Sequence, residues 1–391
     1  MNMKLEPRYH HADFFKKFWQ QGTGKYMTDW TGAKLSLDKF DTYAHMYYEA
    51  DEDGDDAAKD IFFNMPFADA MKLAETCAAK PVTNSSDIPA GLKKILLTMQ
   101  ETPEWLKPEM LAVASKFSCR AGLNALIVLR DFTLIGGYDY AYLNKPLILT
   151  GALKKGAVKR LRDTLHFWTS VTRPGAMEPY AEGYRFCATT RLIHSFSRIM
   201  ILEKIKEWDT EKWGIPVNSW DMIATYIGFS LTFLLGLKKL NMKVSAEEEE
   251  CVFHLWKYVG HLIGIPHQYI PNNAKEATEQ FYLWSSVQPC ADEDSVLLAK
   301  ALLDENLVSP VYDEMSKRKR LKYLHTCCIW HLLDKDVNER LQIPKVPAAG
   351  LFPAFLMARN KLYYSLTNKL KQFEKGDKAQ REVLRLYLEK A

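Results

Sequence analysis

The sequence predicts an all-α fold, and three observations carry that expectation. The chain holds only 19 Gly and 17 Pro in 391 residues, under the roughly 12% of average usage for the two together, so helix breakers are scarce. Aromatic residues reach 12%, enough large rings to fill the spaces between long buried helices. From Lys107 onward apolar residues recur at spacings of three and four, and the stretches between breakers run to roughly 15–30 residues, too long for strands.

The first hundred residues are the least regular. They hold an aromatic-rich stretch, the acidic run Asp51-Glu52-Asp53-Gly54-Asp55-Asp56, and a segment interrupted at Pro81 and Pro89. Asp51, Asp53 and Asp55 have calcium-loop spacing, but Asp56 occupies the place of the turn glycine and Phe62 that of the bidentate carboxylate. An EF-hand fails on both counts, and a solvated loop is expected.

Beyond Lys107 the elements run in order. The three-four pattern marks a helix over 107–134. A second, over 151–171, sets Ala157, Leu161, Leu165, Phe167, Trp168 and Val171 on one side and Lys155, Lys159, Arg162 and His166 on the other, an apolar stripe and a wet face. The helix over 180–208 is apolar nearly all round. That over 219–240 contains the longest apolar run, 222–237, diluted by Thr225, Ser230 and Thr232; a membrane span needs about 20 residues, so a helix buried in the fold is expected. Ser245-x-x-Glu248 has capping-box spacing and opens a helix over 246–263, which Gly264-Ile265-Pro266 stops. Asn273-x-x-Glu276 opens another over 273–287. Helices over 294–304, 310–334, 350–373 and 377–390 rest on the period alone. No repeat of fixed period and no clean linker divides the chain, so residues 1–391 are expected to form a single domain.

Composition excludes several classes. With 52 Lys+Arg against 48 Asp+Glu the net charge is only +4, so no global field recruits nucleic acid or a membrane. Seven scattered cysteines form no CxxC or CxxCH motif and suit the reduced interior of a cytoplasmic protein. The amino terminus has no uninterrupted apolar stretch of the kind an export signal requires. HExxH, GxSxG, GxGxxG and P-loop motifs are absent, which removes metalloprotease, α/β-hydrolase and nucleotide readings. Glu250 and His254 are four apart rather than three and lack a partner set, so a di-iron carboxylate site is not supported. His254 and His261 share a side with Lys257, opposite the apolar face, and suit surface or supporting roles.

The anomaly lies in the helix over 180–208. Arg191, His194 and Arg198, at i, i+3 and i+7, fall within an arc of about 60°, together with Tyr184, Cys187, Leu202 and Ile205, while Leu192, Ile193, Phe196, Ile199 and Met200 cover the other faces. Buried cations cost several kcal/mol unless paired, so an anion or a metal should meet them. In the helix over 151–171, Arg160 and Thr164 also lie inside the apolar arc. One solution is a haem, with neutral His194 as axial iron ligand and arginines meeting its propionates or nearby carboxylates. The other is a buried network of arginines and acids with His194 as a satisfied core histidine.

Arg160-x-x-x-Thr164, Arg191-x-x-His194-x-x-x-Arg198, Asp221-Met222-x-x-Thr225-x-x-x-Phe229-Ser230 and Trp256-x-Tyr258-Val259-Gly260-His261-x-x-Gly264-Ile265-Pro266, in this order, resemble the latex-clearing rubber oxygenases and the MpaB-type oxygenases. The similarity covers a core of about 105–290, leaving a peripheral region at 1–104 and a C-terminal helical region at 291–391. The resemblance implies a globin-like multi-helix protein that binds haem b and uses dioxygen to cleave a carbon–carbon double bond in an apolar, isoprenoid-like substrate. It implies His194 as the iron ligand and Arg160, Thr164, Arg191 and Arg198 as residues of the haem pocket. The family's distal lysine, immediately before the threonine, is replaced by Asp163, so Asp163 and Thr164 are the catalytic candidates. The family's glutamate upstream has no counterpart, because the only acid between Tyr138 and Arg160 is Asp139. Two other readings stand beside an oxygenase of this kind: a haem-binding carrier or sensor that has lost the distal machinery, and an all-α interaction protein whose buried arginines are structural. No integral membrane span is expected.

Overall fold

A computed structural model describes residues 5–151 and 156–390, and among these residues every regular element is a helix. The protein is all-α, as its breaker-poor sequence predicts. One contiguous set of buried side chains runs from Leu5 to Tyr387, so the first and last helices share a core with the middle ones.

The helix Glu182–Lys204 occupies the centre. It packs against Glu52–Phe62, Phe67–Ala78, Ala141–Leu149, Ala157–Val171 and Ala246–Leu262, which explains why its sequence is apolar on nearly every face. Leu202, expected inside, is exposed near its end. Ser245 and Glu248 form the full capping box, and Asn273 accepts the Glu276 N–H at 3.0 Å, so both helix starts obey the sequence signals. The start of the helix expected over 151–171, including Lys155, lies outside the described residues; its described part is Ala157–Val171.

Three departures have physical causes. The acidic run is no solvated loop: it opens the helix Glu52–Phe62, with Asp51 accepting the Gly54 N–H at 3.1 Å as its N-cap. Three acids in the first turn suit the positive end of the helix dipole. The helix expected over 107–134 breaks at Gly122, whose φ of 56° is left-handed, and bends by 86° between Pro108–Arg120 and Leu123–Gly137. The C-terminal boundary, expected between helices over 350–373 and 377–390, falls instead after Leu366, where Asn368 caps the helix Lys369–Lys390. Gly376 lies inside that helix because it presses against the carbonyl of Cys119, and a Cβ would collide with it.

The helical stretch Ser219–Lys239 is long and apolar enough to cross a membrane, but 72% of its apolar window is buried within the fold. A π-helical turn, Gly228–Thr232, interrupts it, and a second, Leu129–Leu134, interrupts Leu123–Gly137. The two wide turns pack against each other.

Candidate active site

Two cavities of about 460 and 520 Å³ adjoin beneath the central helix, each within the roughly 300–1,000 Å³ of small-molecule sites. Arg160, Thr164, Ile193, His194, Met222 and Phe229 line both. The first cavity is walled by Phe167, Phe229 and Trp256, with the last two stacked at 4.5 Å and only 9° apart. The second runs past both π turns, touching Phe132, Thr133, Phe229 and Thr232, toward Leu333 and Val337. Its lining also includes Asp334, whose carboxylate accepts the Thr23 N–H at 2.7 Å and hydroxyl at 2.9 Å.

His194 makes no hydrogen bond with any described residue, and its Nδ1 is buried without a partner. Burial, and secondarily the charge of Arg198, lower its pKa to about 4, so the imidazole stays neutral near pH 7 with a lone pair free for a ligand. Arg160 is the second unsatisfied group. Its Nη1 is buried without a partner, its guanidinium lies 5.1 Å from the Tyr138 ring centroid, and no acid among the described residues pairs with it. Thr164, one turn further along, lines both cavities as the sequence suggests.

The other candidates are placed differently. Arg191 donates to both oxygens of Asp51 at 2.6 and 2.7 Å. Arg198 holds Asp55 at 2.9 to 3.1 Å and donates to the Val217 carbonyl at 2.7 Å. Both guanidiniums are thus committed to the start of the helix Glu52–Phe62, and neither is free to meet a cofactor carboxylate. They fix the angle at which the central helix presents His194. Gly54 and Gly264 make room for this joint: a Cβ on either would strike the Asp51 carboxylate, and Gly264 also has a φ of 90°. Asp163 sits on the exposed rim, paired with Lys159 at 2.6 Å and Arg162 at 3.0 Å. It nonetheless joins the lining of the first cavity beside Arg160 and Thr164. Asp139 is bound by Arg340 at 2.9 and 2.6 Å.

His254 accepts the Lys107 N–H at 2.9 Å, and Trp105 packs its ring edge toward His254 and His261. These histidines face away from the cavities, in the supporting place expected for them. No group of three His, Cys, Asp or Glu among the described residues is placed to hold a bare metal ion. All seven cysteines are unpaired, and six are buried.

Asp221 heads one of the family-like stretches but is not among the candidate site residues of the sequence. It lies in the wall of the larger cavity, buried, with the Trp284 indole N–H on Oδ1 at 2.9 Å and the Asn218 amide on Oδ2 at 2.8 Å. Neither donor is charged, and no cation pairs with it among the described residues. Burial pushes its pKa up to about 6, against those two hydrogen bonds. The signal was present in the sequence: Asp221 is the only charged residue in 219–237, and an isolated acid in an apolar helix is a site candidate.

Comparison with known proteins agrees with this geometry. The profile described as ER-bound oxygenase mpaB/B′/rubber oxygenase, catalytic domain, matches residues 127–359. A rubber oxygenase of Streptomyces sp. (strain K30) is 20% identical over 197 residues, 49% of this chain and 47% of that protein, so the match spans about half the length of the curated relative. A solved structure of latex clearing protein LCP in the closed state superposes with a TM-score of 0.68 at 15% identity, covering 87% of this chain and 91% of that one. That likeness is one of fold. With the profile spanning more than half of its length, the chain belongs to the mpaB/rubber oxygenase family.

Proposed function

We propose that the protein is a haem b-dependent oxygenase that uses dioxygen to cleave the double bond of an apolar, isoprenoid-like small molecule. The observation that carries this reading is the pairing of a free, neutral His194 imidazole with an unpaired Arg160 on the wall they share in two adjoining apolar cavities.

The residues fit the group. A single buried imidazole offers one ligand, as an iron already held in a macrocycle requires. Arg160 supplies a cation for a propionate, and the Phe229 and Trp256 pair gives a flat wall beside a planar ring. Haem, when bound, supplies the oxygen chemistry. The chain's own residues do the rest. The apolar lining binds an alkene chain and excludes water, Thr164 offers a hydroxyl between the cavities, and Asp221 places at the cavity wall a carboxyl whose pKa burial raises to about 6, so that it takes up a proton more readily than an ordinary aspartate. The exposed pairing of Asp163 favours a second reading, a haem carrier or sensor lacking distal machinery.

The test is an absorption spectrum of protein expressed with a haem precursor, oxidised and dithionite-reduced, beside His194→Ala. The wild type should carry stoichiometric haem and His194→Ala should lose it with its helix content intact. A colourless wild type, or full occupancy and an unchanged spectrum in the variant, refutes the assignment. Incubation of the coloured protein with short isoprenoids under air then separates enzyme from carrier by carbonyl products and oxygen uptake.

A further inference from the structure

The helix Leu351–Leu366 is apolar on two opposite faces. One face, with Pro353, Leu356, Asn360 and Tyr364, is buried in the fold. On the other, Leu351, Phe355, Leu362 and Leu366 are 72%, 64%, 62% and 81% exposed. At 100° per residue these four fall within an arc of about 60°, nearly opposite the buried face. Arg359 borders one edge of the stripe. Ala354, Ala358 and Ser365 continue the exposed face to Lys361 on the other side. Leu370, just beyond the helix end, is 65% exposed. Large apolar residues scattered singly on a surface are ordinary, but an aligned stripe marks a contact.

The charge around the stripe says what kind of contact. The net charge of +4 is unevenly spread: residues 341–373 contain Lys345, Arg359, Lys361, Lys369 and Lys371 and no acid at all. Lys369 is paired with Glu248, but Arg359 and Lys361 have no acidic partner among the described residues. We propose that this face docks the protein on an anionic lipid surface, with Leu351, Phe355, Leu362 and Leu366 in the acyl boundary and Arg359 and Lys361 among the headgroups. Apolar side chains on one face with cations along its edges are the pattern of a helix lying in a membrane interface. A second copy of the chain suits it less, because a two-fold contact lays the same acid-free segment against itself and sets cation against cation. The inference is independent of the oxygenase reading, since it rests on a surface helix and needs no cofactor.

The test is cosedimentation of the full chain with vesicles of phosphatidylcholine and phosphatidylserine, beside pure phosphatidylcholine. The wild type should pellet with the anionic vesicles, and added salt should release part of it. Phe355→Glu with Leu362→Glu should weaken binding at least tenfold with unchanged circular dichroism and melting, as both sites are exposed. Arg359→Glu with Lys361→Glu should abolish the preference for anionic over neutral vesicles. Failure of the wild type to bind, or equal binding by the Glu variants, overturns the proposal. So does a dimer, seen by sedimentation equilibrium, that Phe355→Glu dissociates.

Discussion

Asp51→Ala tests the joint that aims the central helix. In the folded protein Asp51 has two tasks: it caps the helix Glu52–Phe62 and it neutralises Arg191 through two short hydrogen bonds. Losing an aspartate cap costs about 1 kcal/mol. Leaving a buried guanidinium without its carboxylate costs about 3–5 kcal/mol, and Arg191 is buried with no other acid bonded to it. Because one carboxylate serves both, the two losses overlap, and a total of about 4 kcal/mol is expected. An unfolding entropy of about 2.1 cal/mol/K per residue gives roughly 0.8 kcal/mol/K for a chain of this length, so the melting temperature should fall by about 5 °C. The assay is thermal and urea unfolding monitored by far-ultraviolet circular dichroism. Asp51→Ala with Arg191→Met should recover most of the loss, since no charge is then stranded. A single variant melting within about 1 °C of wild type, or a double variant equal to the sum of the singles, would refute the argument.

The same geometry sets further outcomes. Asp221 has a folded pKa of about 6 against an ordinary 3.8, so the folded state binds the extra proton and this group's contribution to stability falls by about 3 kcal/mol as pH rises from 4 through 6; in urea unfolding, Asp221→Asn should lack that fall, and an unchanged slope would show the carboxyl is not desolvated. His194 titrates the other way: with its pKa lowered to about 4, its contribution is present above the ordinary 6.5 and is lost as pH falls toward 4, which a comparison of His194→Phe with wild type at pH 7 and pH 4.5 would read. Gly376→Ala, although it improves helix propensity, should destabilise the protein by more than about 1 kcal/mol because its Cβ meets the Cys119 carbonyl, which belongs to the backbone and cannot swing aside; a rise in melting temperature would contradict the close approach. Lastly, Asp163→Asn should change neither haem occupancy nor turnover appreciably, because its ion pairs are exposed and worth under about 1 kcal/mol; a lost spectrum would return Asp163 to the site.

The helices after Lys107 were legible because each obeys a local rule: a capping box at Ser245, a Gly-Ile-Pro stop after Ile263, a three-four apolar period elsewhere. His194, Arg160 and Thr164 were legible for the opposite reason, since they break that period on faces where water does not reach. The hidden features depend on partners far along the chain. Nothing near Asp51 announces that Arg191, 140 residues away, will take its carboxylate. The acidic run therefore looks solvated, and the two arginines look available. Gly376 resembles a helix stop until Cys119 is placed against it. Asp221 heads one of the family-like stretches, but a single acid has no spacing that would assign it a role.

The π turns at Leu129–Leu134 and Gly228–Thr232 set the phase of the helical residues beyond them. A π turn carries one residue more than the α-helix it interrupts, so it rotates every later side chain by about 100° relative to an uninterrupted helix. Downstream of the second turn, Gly236 faces Val128 and Phe132, and any Cβ there would collide with the Val128 side chain. The contact exists only in the shifted phase. Forcing Gly228–Thr232 into α geometry without removing a residue would therefore turn a larger side chain toward the neighbouring helix where Gly236 now lies, whereas a one-residue deletion that restores α geometry would keep Gly236 against Val128 and reshape only the cavity wall. The wide turn thus takes up its extra residue at the cavity wall while the helix behind it stays seated with Gly236 against Val128, so the width of the site can change by one residue without unseating that helix.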